Sequence, residues 1–175
     1  MLFSDVSPVM GEHMKSSRTI LLIEDNHSDV ALIRNAFLQR GVTDQLEIVA
    51  EGRMAKDYLA GHGIYSDRAV YPFPKLVLLD LRLPDITGLE VLKWLRSEPG
   101  LTKVPVVILT GSEVRSDIDR AYQLGANSYL VKTADFEKFR ALVQDLNEFV
   151  LGPQNPDAVI NLGSPSPTPK TLAHD

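Results

Sequence analysis

The chain has 175 residues, of which 44% are hydrophobic and 23% charged, a length and composition typical of one globular domain with additional terminal segments. Its net charge of −5 disfavours direct binding to DNA or to an anionic membrane surface, because both carry negative charge. The absence of cysteine excludes disulfides and cysteine-ligated zinc, and no apolar run approaches the roughly 18 residues that span a bilayer, so we expect a cytoplasmic protein without membrane contact.

The two ends of the chain differ in composition from its middle. Residues 1–17 show no regular hydrophobic period, and we interpret them as a disordered extension or tag outside the fold. Residues 18–152 alternate apolar runs with amphipathic segments and are predicted to form one domain. Residues 153–175 contain five prolines among small polar residues, a composition that buries too little apolar surface to fold. We expect a flexible tail there.

Short apolar runs within the middle part are predicted strands. They are rich in leucine and β-branched residues and too continuous to leave one face in water, which indicates strands covered on both sides. The runs are Ile20–Ile23, Leu46–Ala50, Leu76–Leu79, Val106–Leu109 and Tyr129–Val131.

Amphipathic segments follow the strands and are predicted helices. They run from Asp29 to Arg40, from Arg53 to Ala60, around Val91–Leu95, from Ser116 to near Gly125, and from Phe136 to Val150. Ser116 and Asp119 have the spacing of a capping box at the fourth helix. Strands that alternate with helices in this way predict an α/β fold, a doubly wound parallel sheet with right-handed crossovers and helices on both faces.

The connection between the second helix and the third strand is unusual. Gly61–Pro74 exceeds the common length of such loops and contains two tyrosines and a phenylalanine. It is either functional or an ordered excursion on the surface, and its aromatic content favours packing against another part of the protein.

Polar residues stand directly after four of the predicted strands. Glu24 and Asp25 follow the first, Asp80 the third, Thr110 the fourth and Lys132 the fifth. Because the carboxyl ends of parallel strands meet in one crevice, we expect these side chains to converge.

Three converging carboxylates repel one another unless a cation lies between them. Glu24, Asp25 and Asp80, with the backbone carbonyl of Arg82, supply the oxygen ligands that Mg²⁺ accepts. The ion would leave Asp80 free to act as a nucleophile and to form an aspartyl phosphate. Lys132 would pair with the phosphoryl oxygens as a point charge, and the Thr110 hydroxyl would donate a hydrogen bond to another of them.

These residues, in this order, resemble the receiver domain of bacterial two-component response regulators. The motifs that carry the resemblance are Glu24-Asp25, Asp80 within Leu78–Pro84, Thr110-Gly111-Ser112, and Lys132 at the end of Gly125–Lys132. The resemblance covers about residues 18–152. It implies a flavodoxin-like (βα)5 fold with strand order 2-1-3-4-5, a Mg²⁺ ion, and a signalling phosphoacceptor rather than an enzyme.

The long connection and the segment Asp119–Tyr129 further resemble the single-domain regulators of phytochrome-type histidine kinases. This likeness implies a sensor histidine kinase partner of the bacteriophytochrome type, a homodimer, and output through protein contacts without DNA binding. It also implies a switch formed by Thr110 and Tyr129, in which the hydroxyl moves toward the phosphoryl group and the ring turns inward.

Two residues depart from the common receiver pattern. Thr133 stands where many receivers have proline, and Arg82 places a long cation at a position that tunes the access of hydrolytic water in the family. Two alternatives remain open beside a phosphorylated receiver. One is a phosphorylation-independent binding module of the pseudo-receiver type. The other is a phosphatase with an aspartate nucleophile, against which Arg82 counts, since such enzymes have a second aspartate at that position.

Overall fold

The structure is a computed structural model that describes residues 18–39, 44–133 and 137. The strands within these ranges are β1 (Thr19–Ile23), β2 (Gln45–Val49), β3 (Pro74–Leu79), β4 (Val106–Thr110) and β5 (Ser128–Val131). The α-helices are α1 (His27–Gln39), α2 (Gly52–Ala60), α3 (Gly88–Ser97) and α4 (Arg115–Gln123), and a 3-10 helix occupies Gly63–Ser66. The apolar stripe of the predicted fifth helix and both predicted terminal segments lie outside the described residues.

The strands form one parallel sheet in the order β2-β1-β3-β4-β5, which confirms the predicted topology. Ile23 at the end of β1 is in register with Leu79 at the end of β3. In the same way, Thr110 at the end of β4 is in register with Val131 on β5. The strands therefore end at closely similar levels, and the residues that follow them share one edge of the sheet.

Alternate residues of the central strands enter two separate cores, one on each face of the sheet. Leu21, Val77 and Ile108 pack on the face that also buries the apolar residues of α2, α3 and α4. Leu22 and Leu78 point to the opposite face, where the buried residues of α1 pack. Because both faces are covered, β1, β3 and β4 have no solvent-exposed side, as the continuous apolar runs predicted. Among the described residues, no helix is long and apolar enough to cross a membrane.

The predicted capping box at the fourth helix is wrong. Helix α4 begins at Arg115, one residue before Ser116, and its N-cap position is Val114, which forms no side-chain cap. Asp119 pairs instead with Arg115 at 3.1 Å. Because Val114 occupies the N-cap position, Ser116 lies inside the first turn, where its side chain cannot serve as the N-cap.

A capping box does occur at α3. The Thr87 hydroxyl accepts a hydrogen bond from the Glu90 N–H at 3.3 Å, and the Glu90 carboxylate accepts one from the Thr87 N–H at 2.8 Å. The exchange satisfies two backbone donors and fixes where α3 starts. The pattern is Thr-x-x-Glu, which is visible in the sequence.

The long connection before β3 is ordered by its aromatic residues, which confirms the predicted packing. The rings of Tyr58, Tyr65 and Tyr71 lie with centroids 5.0–6.1 Å apart in tilted and edge-to-face arrangements. Arg68 donates a hydrogen bond to the Tyr58 carbonyl at 2.8 Å and to the Leu59 carbonyl at 2.9 Å. These bonds help to satisfy the carbonyls at the end of α2, where the Tyr58 carbonyl also accepts a hydrogen bond from the Gly61 N–H at 3.2 Å.

Candidate functional site

Backbone hydrogen bonds continue the sheet one residue beyond its strands and so fix the residues that follow. The Asp80 N–H donates to the Ile23 carbonyl at 3.0 Å, and the Glu24 N–H donates to the Val49 carbonyl at 2.9 Å. On the other side of the sheet, the Lys132 N–H donates to the Thr110 carbonyl at 2.8 Å. The sheet therefore fixes the backbone from which each of these polar side chains projects.

The structure brings most of the predicted site residues to the wall of one open cleft of about 490 Å³. Its polar lining includes Glu24, Asp25, Asp29, Asp80, Arg82 and Lys132. Thr110 does not line the cleft: it is fully buried beneath it, and its hydroxyl oxygen lies 3.5 Å from the Ser112 N–H as an acceptor. Gly111, between these two residues, does line the cleft.

Lys132 lies at the centre of the site. Its Nζ is 2.5 Å from Glu24 Oε2, 2.6 Å from Asp80 Oδ2 and 2.9 Å from Asp29 Oδ2. An ammonium group has three N–H donors, so every one of them is directed at a carboxylate. The side chain is 13% exposed, and little solvent competes for these contacts.

Burial and charge act in opposite directions on Lys132 and on Glu24. Burial disfavours the ammonium form of Lys132, but its hydrogen bonds to Asp80, Glu24 and Asp29 outweigh that effect and raise the pKa of Lys132. Burial also raises the pKa of Glu24, against the opposing effects of Lys132 and of the Asn26 N–H. Lys132 therefore keeps its positive charge throughout the physiological pH range.

The acidic residues fit a hard divalent cation. Glu24, Asp25 and Asp80 each direct an oxygen into one region, and these oxygens lie within 4.8 Å of one another. Glu24 Oε1 is oriented by the Asn26 N–H at 3.0 Å, and Asp80 Oδ1 by the Arg82 N–H at 3.1 Å. Carboxylate oxygens alone, held in this way, are ligands that Mg²⁺ or Mn²⁺ prefers.

The aromatic residue of the predicted switch points into the protein. Tyr129 is fully buried, and its hydroxyl donates a hydrogen bond to the Ser112 carbonyl at 3.0 Å. Burial raises the pKa of Tyr129 although that hydrogen bond opposes the shift. The Ser112 hydroxyl in turn donates to Asp117 Oδ2 on α4 at 2.6 Å, so the segment after Thr110 connects Tyr129 with α4.

Two of the residues in these contacts were not predicted. Asp29 contacts Lys132 from the first turn of α1, which begins two residues earlier than the sequence predicted. The sequence gives no signal for Asp29, because Asp25 precedes α1 and the contact depends on where that helix starts. The same holds for Asp117, whose contact depends on where α4 starts. The Lys132–Thr133 peptide is trans, as are all peptide bonds of the described residues.

Comparison with known proteins identifies the family. Residues 20–144, more than half of the chain, match the profile of the response regulator receiver domain. The chain belongs to the response regulator receiver family. A receiver domain is a signalling module rather than a classical enzyme, and the order of the strands and the acidic edge of this sheet agree with that assignment.

Three of the similar proteins are FilR2, Rcp1 and RcpA. The probable methanogenesis regulatory protein FilR2 of Methanothrix harundinacea is 41% identical over 76% of this chain and 83% of its own length. The response regulator Rcp1 of Synechocystis sp. is 33% identical, over 81% of this chain and 95% of Rcp1, and an Mn²⁺-bound form of Rcp1 superimposes with a TM-score of 0.71. The phosphorylated cyanobacterial phytochrome response regulator RcpA is 35% identical, with a TM-score of 0.73 over 80% of this chain and 98% of RcpA.

Proposed function

We propose that this receiver accepts a phosphoryl group from a sensor histidine kinase on Asp80 and signals through protein contacts. The observation that carries the proposal is the position of Asp80. It ends the buried strand β3, it is 6% exposed, and one of its carboxylate oxygens lies 2.6 Å from the ammonium of Lys132. A carboxylate held at a cleft with a fixed cation beside it is suited to nucleophilic attack on phosphorus.

The transfer exchanges one bond to phosphorus for another. An oxygen of Asp80 forms a bond to phosphorus while the bond from phosphorus to the kinase's histidine nitrogen breaks. The imidazole keeps the electron pair of that bond and takes up a proton. Lys132 would pair with the negative charge of the transferred group, and Thr110, beneath the cleft, would donate its hydroxyl hydrogen to a phosphoryl oxygen.

A divalent cation fits the proposed chemistry. Glu24, Asp25, Asp80 and the backbone carbonyl of Arg82 would hold Mg²⁺. When bound, the ion supplies positive charge that offsets the repulsion between the carboxylates and an anionic phosphodonor. The Mn²⁺-bound form of Rcp1 supports this assignment in a relative.

The output would pass through Thr110 and Tyr129. Movement of the Thr110 hydroxyl toward the phosphoryl group would shift the backbone around Ser112. The Ser112 carbonyl accepts a hydrogen bond from the Tyr129 hydroxyl, and the Ser112 hydroxyl donates one to Asp117 on α4, so the shift would reach both. The likeness to RcpA, a phytochrome response regulator, supports a phytochrome-type kinase as the partner. We further propose a homodimer as the signalling form. We place this exchange in the cytoplasm, and the net charge of −5 supports output without direct DNA binding.

The decisive experiment is phosphorylation of the purified protein. Incubation with Mg²⁺ and either acetyl phosphate or a phytochrome-type histidine kinase should give a mass gain of one phosphoryl group that is stable in acid and labile in base. Asp80→Asn, which keeps the size of the side chain but not the nucleophile, should abolish the gain. Asp57→Asn is the matched control, because Asp57 is an exposed carboxylate on α2.

Two outcomes would contradict the proposal. No gain with either phosphodonor would favour a pseudo-receiver that binds its partner without phosphorylation. A gain that persists in Asp80→Asn would place the phosphoryl group on another residue. The solution mass, measured before and after phosphorylation, tests the homodimer separately, and a monomer in both states would exclude it.

A further inference from the structure

Lys132 contacts one carboxylate that the proposed chemistry does not require. Glu24 belongs to the acidic trio that would hold a cation, and Asp80 is the nucleophile. Asp29 has neither role, because the trio of mutually close carboxylates consists of Glu24, Asp25 and Asp80. Its Oδ2 nevertheless lies 2.9 Å from Lys132 Nζ.

We propose that Asp29 is a positioning residue that competes with the phosphoryl group for Lys132 and so restrains the phosphorylation of Asp80. The inference rests on the proposed function of Asp80. The ammonium has three N–H groups, and all three are directed at carboxylates. A phosphoryl oxygen can therefore accept a hydrogen bond from Lys132 only when one carboxylate gives up its own.

The three carboxylates are not equal competitors. Asp80 loses its negative charge when it becomes the mixed anhydride, and its attraction for Lys132 weakens in the same step. Glu24 can turn toward a cation, since it lies within 4.8 Å of the other trio oxygens. Asp29 keeps its full charge throughout, so it is the carboxylate that remains in competition with the phosphoryl group.

The fold holds Asp29 in that position. It lies in the first turn of α1, where its backbone N–H donates to Asn26 Oδ1 at 3.3 Å. Its side chain is 30% exposed and lines the same cleft as Lys132. A phosphoryl oxygen that shared the ammonium with Asp29 would lie about 5 Å from that carboxylate, close enough for charge repulsion in a partly buried cleft.

The test compares Asp29→Asn with the wild type at limiting phosphodonor and saturating Mg²⁺, with the phosphorylated fraction followed by intact mass. With acetyl phosphate, a dianion, the second-order rate constant should rise about three- to tenfold in Asp29→Asn, because one repulsive charge is lost and Lys132 gains a free donor. With phosphoramidate, which carries one net negative charge, the rise should be smaller. Asp29→Glu, which restores the carboxylate, and Asp57→Asn, which removes a remote one, should each stay within about twofold of the wild type.

The comparison of the two phosphodonors separates competition for Lys132 from a structural role of Asp29. A structural role would change the rate constants with acetyl phosphate and with phosphoramidate by the same factor. Suppose that the wild type is phosphorylated on Asp80 but the rate constant of Asp29→Asn is unchanged or lower. That result would overturn the role of Asp29 and leave the proposed function intact. Calorimetric titration with Mg²⁺ provides a second measurement. A loss of affinity in Asp29→Asn as large as that in Asp25→Asn would make Asp29 a metal ligand and would also overturn the inference.

Discussion

Gly88 shows how closely the backbone packs beside the proposed phosphoacceptor. A Cβ atom at residue 88 would lie 2.1 Å from the Asp80 carbonyl oxygen and 2.8 Å from the Leu81 Cα. The Gly88 N–H donates to the Leu81 carbonyl at 3.0 Å, which draws the start of α3 against this segment. Because the opposing atoms are backbone, no rotation of a side chain can make room for a larger residue.

Gly88→Ala should therefore lower the free energy of unfolding by about 1–3 kcal/mol, the usual cost of overpacking, and should slow phosphorylation of Asp80 by displacing its backbone. Denaturation in urea measures the first effect. Gly111→Ala serves as the control for stability alone, since a Cβ at residue 111 meets nothing within 4 Å. Equal stability of the two variants would show that the backbone near Asp80 adjusts without cost.

Single residues of the site differ in how far the sequence reveals them. Asp80 and Lys132 could be predicted, because a polar residue that ends a continuous apolar run marks the carboxyl end of a buried strand. Asp29 could not, because its contact depends on the exact start of α1, which the Asn26 side chain sets by accepting the N–H groups of Ser28 and Asp29. Element boundaries of this kind are the least predictable feature of a sequence.

At the scale of elements, Asp85 connects the loop after β3 with the start of α2. Its Oδ1 accepts a hydrogen bond from the Gly52 N–H at 2.8 Å, and its Oδ2 accepts one from the Arg53 N–H at 2.9 Å. The N-cap residue of α2, Glu51, forms no side-chain cap. A residue more than thirty positions away thus performs the capping that a local side chain usually performs.

Asp85→Ala should lower the free energy of unfolding by about 1 kcal/mol at neutral pH, because two N–H donors of α2 lose their partner. Desolvation opposes ionisation of this carboxyl, but the hydrogen bonds from Arg53 and Gly52 outweigh it and hold the pKa of Asp85 below its ordinary value of 3.8. The stabilisation is therefore complete above the ordinary pKa and is lost as the pH falls through the lower folded value.

Urea denaturation of the wild type and Asp85→Ala between pH 7 and pH 3 measures this dependence. The difference in stability between the two proteins should be constant near neutral pH and should shrink at the acid end. Asp57→Ala, in which the lost carboxylate belongs to α2 itself, is the control. A difference that does not change with pH would show that Asp85 stabilises the loop by packing rather than by its charge.

The elements themselves were largely predictable, but the side-chain contacts at their ends were not. The five strands lie within two residues of the predicted runs, because apolar runs of this length have few alternatives in a parallel sheet. The capping of α4 differed from the prediction, because Val114 rather than Ser116 occupies the N-cap position. Likewise, the role of Arg68 in the long connection follows from the conformation of that connection, for which a sequence pattern gives no rule.

For the molecule as a whole, the sheet concentrates negative charge at one edge. Glu24, Asp25, Asp29 and Asp80 face the cleft, and Lys132 and Arg82 are the cations on its lining. Carboxylates therefore outnumber cations at this edge, and their mutual repulsion reduces the stability of the folded chain. Since folding brings these residues together from distant parts of the chain, a cation bound among them should stabilise the entire domain.

Mg²⁺ should accordingly raise the free energy of unfolding by about 2.7 kcal/mol when its concentration is one hundred times its dissociation constant, provided that it binds the folded state alone. Thermal unfolding with increasing Mg²⁺ measures this effect, and a chelator should reverse it. Asp25→Asn should reduce the shift strongly without harming the metal-free protein, because Asp25 is exposed and its loss relieves repulsion. Sodium chloride at equal ionic strength separates specific binding from screening. A shift of the same size with sodium chloride, or in Asp25→Asn, would show that the ion acts on the general charge of the protein rather than between Glu24, Asp25 and Asp80.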